Sequence, residues 1–85
     1  MRVYPLSAQS ILVGRDIDCD LRLNDAEASR KHLQLRCAEG DWYAQDLESS
    51  NGTLLNDTPI VASRLQAGDV LTIGNTKLQL FRKPQ

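Results

Sequence analysis

The sequence predicts an all-β fold, a sandwich or small barrel of short strands around one core. Three observations carry that expectation. Turn-forming residues recur at close intervals, at Gly14, Asn24-Asp25, Gly40-Asp41, Asn51-Gly52, Asn56-Asp57, Gly68-Asp69 and Gly74-Asn75. Such spacing leaves room for strands and little for helices. Between the turns, apolar and polar residues alternate, as in strands with one buried face. The chain has 85 residues, 41% hydrophobic and 25% charged. That composition suits one soluble globular domain over residues 1–85, with a thin core for its size.

The elements follow in chain order. Ser10–Val13 and Asp20–Leu23 read as shorter strand candidates. Leu33, Leu35 and Cys37 alternate with Gln34 and Arg36. Trp42–Asp46 places Trp42 and Ala44 on one face, Tyr43 and Gln45 on the other. Leu71 and Ile73 flank Thr72, and Leu78 and Leu80 flank Gln79. One stretch pulls the other way. Asp25–Glu39 is rich in good helix formers, and Asn24 with Glu27 has the spacing of a capping box. A helix would scatter Leu33, Leu35 and Cys37 around its circumference, whereas a strand keeps them together. The residues leave both readings of this stretch open.

Several function classes fall away on composition. The net charge is −1, from 10 basic and 11 acidic residues. A general nucleic-acid binder carries a basic excess. No apolar run approaches the ~20 residues of a membrane span, and Asp16, Asp18 and Asp20 interrupt the place of a secretory apolar segment. Cys19 and Cys37 do not make a disulfide framework and read as reduced thiols of a cytoplasmic protein. Ser29, His32 and Asp46 or Asp69 could be set out as nucleophile, base and orienter, but no Gly-x-Ser-x-Gly elbow accompanies them. Cys19, His32 and Cys37 lack zinc-ligand spacing. The expectation is a protein that is not an enzyme and has no metal or cofactor.

Three short stretches carry chemistry instead. Gly14-Arg15 closes the first strand, Ser29-Arg30-Lys31-His32 precedes the Leu33 strand, and Ser49-Ser50-Asn51-Gly52-Thr53 follows the Trp42 strand. Arginine presents a planar fork of donors that matches phosphate oxygens, and serine adds single hydrogen bonds. An asparagine amide both donates and accepts, which suits a peptide backbone. Loops at one end of a sandwich bring such groups together.

The full order extends further. Ile11-Leu12-Val13-Gly14-Arg15 leads to Cys19-Asp20-Leu21-Arg22-Leu23-Asn24-Asp25, then to Ser29-Arg30-Lys31-His32 and Trp42 to Asp46-Leu47. Ser49-Ser50-Asn51-Gly52-Thr53, Asn56, Leu65, Gly68-Asp69 and Ile73-Gly74 complete it. Over about residues 11–81 this closely resembles the forkhead-associated (FHA) domain, a phosphothreonine-binding module. The resemblance implies a two-sheet β-sandwich of the FHA/SMAD-like type, with the ligand site on loops at one end and Asp25–Glu39 resolved into loop and strand. It implies Arg15, Ser29, Arg30 and Ser50 as phosphate ligands and Asn51 as the peptide-backbone ligand. His32 would brace the Ser29 loop, and Gly14 and Gly52 would be conformational supports, with Asp69 in its turn. Two departures stand out. Only thirteen residues precede Gly14, so Arg2–Leu6, with Pro5 suited to an edge, would be a short edge strand. Ala28 stands where a larger aliphatic residue is common.

The implied function is recognition of phosphothreonine on a partner protein in kinase-dependent signalling or assembly. The alternative is an FHA-like structural domain, as in secretion machinery, that binds no phosphopeptide. The implied partners are a phosphothreonine protein and, indirectly, a Ser/Thr kinase, with no nucleic acid and no membrane, and the isolated domain is expected to be monomeric. Thr53, Thr58, Thr72 and Thr76 all fall inside the expected fold, so the ligand is expected from outside this chain.

Overall fold

The computed structural model describes residues 3–81. Among them it contains nine strands and no helix. They are β1 (Ser10–Gly14), β2 (Leu21–Arg22), β3 (Leu33–Ala38), β4 (Asp41–Asp46), β5 (Thr53–Leu55), β6 (Thr58–Ile60), β7 (Ala62–Leu65), β8 (Val70–Ile73) and β9 (Thr76–Gln79). One sheet has the order β2-β1-β3-β4-β7 and the other β6-β5-β8-β9. Every pairing is antiparallel except β1 with β2.

The alternation in the sequence becomes the core. Ile11 and Val13 of β1 face inward with Leu33 and Leu35 of β3 and Ala44 of β4. Leu71 and Ile73 of β8 close the core from the other sheet, and Leu21, Leu23 and Ala28 fill the site end. Trp42 and Leu78 pack against its margin. Each fully buried Ile, Leu or Val contributes about 1.5–3 kcal/mol relative to exposure, so a few side chains decide the stability of this small domain.

The helix alternative for 25–39 is not realised. The Glu27 N–H donates to Asp25 Oδ1 at 2.9 Å in a local turn, where a capping box would need Asn24. Residues 23–32 form a loop, and 33–38 pair with β1 and β4. Tertiary pairing overrides the local helix propensity because the helix would expose half of the apolar set. The expected edge strand over Arg2–Leu6 also does not form. Residues 3–9 lie outside any strand, and Arg2 falls outside the described residues. Pro5 lacks a backbone donor. The segment joins the sheet at Gln9, whose carbonyl accepts from Cys37 N–H at 2.8 Å.

The connections β1–β2, β2–β3 and β4–β5 converge at one end. Asp16 N–H donates to Arg30 O, His32 N–H to Val13 O and Leu47 N–H to His32 O, at 3.0, 2.9 and 2.9 Å.

Candidate functional site

Arg15 follows β1 directly, and its placement depends on Gly14. A Cβ at Gly14 would overlap the Arg30 carbonyl oxygen. Gly14 has no positive φ, unlike Gly52 at +84°. Gly52 takes the left-handed conformation that favours glycine, whereas at Gly14 close backbone approach excludes a side chain. The approach lets Arg15 N–H donate to Ser29 O at 3.0 Å. Arg15 Nε donates to Ala28 O at 3.0 Å, which fixes the guanidinium plane while the two terminal nitrogens stay at the exposed rim.

His32 is fully buried at 0% exposure and joins the loops from beneath. Its Nδ1 accepts from Ser29 N–H at 2.9 Å, and its Nε2 lies 2.9 Å from Gly52 O. A carbonyl only accepts, so Nε2 carries the proton and Nδ1 is bare, which assigns the neutral tautomer. This ring locks Ser29 relative to the 49–52 loop. Ser29 Oγ then accepts from Ser50 N–H at 3.0 Å, with the hydroxyl proton directed by whatever occupies the rim.

The 47–52 loop is organised by Asp46. Its Oδ1 accepts from Ser49 Oγ at 2.6 Å and Thr53 Oγ1 at 2.7 Å, and its Oδ2 from Ser49 N–H at 3.0 Å. Burial pushes this carboxyl up, but the Ser49 and Thr53 bonds outweigh it and hold it below the usual value of 3.8. Ser49 Oγ accepts in turn from Gly52 N–H at 2.9 Å. Asn51 is exposed at the rim, and its Nδ2 donates to Glu27 O at 2.8 Å and to Glu27 Oε2 at 3.1 Å. The Asn51 amide donors are therefore engaged with Glu27, an arrangement the residue pattern did not reveal.

Asp25 is a second residue whose role the sequence concealed. Its Oδ2 accepts from Asn75 N–H at 2.9 Å and from Thr76 Oγ1 at 2.7 Å, tying the 23–32 loop to the β8–β9 turn. The Thr76 bond, with the Glu27 and Asn75 N–H groups, holds this carboxyl below its usual 3.8. The turn signal at Asn24-Asp25 marked the position, but nothing local marks partners fifty residues away. Arg30 lies on the wall of a depression of ≈ 260 Å³ with Arg15, Asp16, Ile17 and Arg22. Its carbonyl serves the Asp16 N–H and Cys19 Sγ, at 3.0 and 3.1 Å. Burial raises the Cys19 thiol above its usual value, which keeps it a neutral donor.

This arrangement does not form a catalytic triad. Ser29 Oγ is bonded to Ser50, and His32 meets Ser29 through the main-chain N–H. Asp46 is 3.8 Å from His32 Nε2, whose bond goes to Gly52 O. With both nitrogens committed, the ring offers neither a metal lone pair nor a general base.

A family model described as "inner membrane component of T3SS, cytoplasmic domain" matches residues 2–84. A solved structure described under phosphothreonine-dependent FHA domain interactions has a TM-score of 0.92 and 34% identity, covering 99% of this chain and 88% of that one. The chain belongs to the forkhead-associated family. The FHA domain of FhaA, solved in complex with the intracellular domain of Rv3910, is also similar, with a TM-score of 0.85 and 37% identity over 89% of this chain and 84% of that one. FhaB of Mycobacterium tuberculosis is 40% identical over 76 residues, which is 88% of this chain. This FHA chain spans 49% of the length of FhaB and 15% of FhaA from the same organism.

Proposed function

We propose that this FHA domain is a non-catalytic module that recognises phosphothreonine on a partner protein in the cytoplasm. The observation that carries the reading is the rim built by Arg15, Ser29, Ser50 and Asn51. The Arg15 fork is fixed through Nε, and Ser29 is locked from below by His32. A phosphate dianion would take charge-assisted bonds from Arg15 and Ser29, with Arg30 and Ser50 beside them. Asn51 would exchange its bonds to Glu27 for the peptide backbone. The described subjects of the similar structures, phosphothreonine-dependent interactions and an FHA domain in complex with an intracellular domain, support this reading.

The ligand would come from outside this chain. Its four threonines, Thr53, Thr58, Thr72 and Thr76, are strand residues of β5, β6, β8 and β9. None can enter the rim without loss of a strand.

The description of the matching family model favours a second reading, a structural part of a secretion assembly. Calorimetric titration separates the two. A phosphothreonine peptide is expected to bind with roughly micromolar affinity, with weakening below about pH 6 as the phosphate takes up its second proton. Arg15→Ala and Ser29→Ala should each remove most of this binding with an unchanged circular dichroism spectrum. A folded wild-type domain that ignores phosphothreonine peptides would establish the structural reading.

A further inference from the structure

The depression beside the phosphate rim carries a guanidinium that the phosphate reading of Arg15, Ser29 and Arg30 leaves without a role. Arg15, Arg22 and Arg30 line it, with Asp16 as the one carboxylate on its wall. Among the described residues, none of these guanidinium groups has a carboxylate within ion-pair distance, whereas Arg64 is paired with Asp41 at 3.0 Å. This local excess stands out in a chain of net charge −1. Arg22 is positioned, not loose. Its Nε donates to Arg15 O at 3.1 Å, which sets the plane of the group, and its terminal nitrogens have no hydrogen-bond partner among the described residues. The same device fixes Arg15, through Ala28 O. Ile17, 78% exposed, adds an apolar wall to the depression.

We propose that Arg22 binds a second anionic group on the same peptide, so that the domain prefers ligands carrying two acids over ligands carrying one. The chemistry of that group is a phosphate or a carboxylate. A dianion at Arg15 and Ser29, flanked by Arg30, occupies those donors, and the guanidinium fork of Arg22 remains for a second acid. The peptide residue between the two acids packs on Ile17. The charge is polarised along the rim. A chain of hydrogen bonds runs from Arg22 to Arg15 to the Ala28-Ser29 backbone, then from Ser29 to Ser50, and Asn51 is held by the Glu27 carboxylate at the far side. The second acid therefore belongs on the flank that leaves over Ile17, and the flank facing Glu27 disfavours it.

This inference rests on the phosphothreonine reading of Arg15 and Ser29. The test compares three peptides of one sequence, with phosphothreonine alone, phosphothreonine plus a second phosphothreonine, and phosphothreonine plus glutamate. The second group is moved through successive positions on each flank. On one flank the doubly phosphorylated peptide should bind roughly five- to tenfold tighter than the singly phosphorylated one, with a smaller gain for glutamate. Arg22→Gln should remove that gain and leave affinity for the singly phosphorylated peptide unchanged, which also shows the variant to be folded. No gain at any position, a gain that survives Arg22→Gln, or a loss of single-phosphate binding in Arg22→Gln would overturn the inference. The last of these outcomes would reassign Arg22 to the first phosphate. Failure of the wild type to bind the singly phosphorylated peptide would overturn the phosphothreonine reading itself.

Discussion

His32 and Gly14 show two ways in which one buried residue governs an exposed site. His32 satisfies Ser29 N–H and Gly52 O from a position without solvent contact. His32→Ala leaves a cavity and strips both partners of their bond, so a loss of about 3 kcal/mol or more is expected in urea unfolding. Leu at this position would fill the space yet leave the same groups unpaired. Gly14 acts by size. Gly14→Ala would push the Arg30 backbone away, along with the Asp16 N–H bond to Arg30 O. A destabilisation of roughly 1–3 kcal/mol should accompany reduced phosphopeptide affinity. An unperturbed Gly14→Ala domain in both assays would show that the contact is not required.

The 23–32 loop carries Ser29, Arg30 and His32, and three of its ties lie at its start, its end and Asp25. Leu23 N–H donates to Gly14 O at its start and His32 N–H to Val13 O at its end. In the middle, Asp25 grips Asn75 and Thr76 on the opposite sheet. A side chain cannot replace Gly74 there, because a Cβ would sit 2.6 Å from Glu27 Cβ. Loss of the central tie should loosen the loop without removing any rim group. Asp25→Ala is therefore expected to speed amide exchange at Ser29 and Arg30 and to weaken phosphopeptide binding, while strand amides of β3 and β4 stay protected. Equal acceleration across the whole domain would point to a global role instead.

At the scale of the whole molecule, Asp25, Asp46 and Asp69 are among the carboxylates that tie or organise segments of the described residues. Asp25 links the site loop to the β8–β9 turn, Asp46 organises the β4–β5 loop, and Asp69 bonds Asn56 Nδ2 at 3.0 Å and Gln66 N–H at 2.7 Å. Hydrogen bonds to Asn56 and to Gln66 N–H lower Asp69 below 3.8, as corresponding bonds lower Asp25 and, against burial, Asp46. A folded value below the unfolded one means that the native state binds fewer protons in that range. The stability they contribute is complete above pH 3.8 and fades as pH falls through the folded values. The thermal midpoint should hold steady on the neutral side and drop steeply below about pH 4. A midpoint unchanged into strong acid would remove these carboxylates from the stability of the fold.

Period-two alternation at Leu33, Leu35, Leu71 and Ile73 marked part of the core without any structure, whereas Leu21, Leu23, Ala28 and Leu65 join it only through the tertiary fold. The order of short motifs determined the family, because Gly14-Arg15, Ser29 to His32 and Ser50 to Gly52 keep their chemistry in the letters themselves. Local patterns could not decide the 25–39 stretch, where helix propensity and strand periodicity conflict and only pairing with β1 and β4 breaks the tie. Nor could they show that Gly14 is a matter of contact, that Asp25 reaches Thr76, or that Arg22 stands beside Arg15 and Arg30. Each of these is a meeting of residues that no local pattern links. A one-dimensional pattern reports which face a residue presents, while the neighbour it meets there is set by how the two sheets fold together.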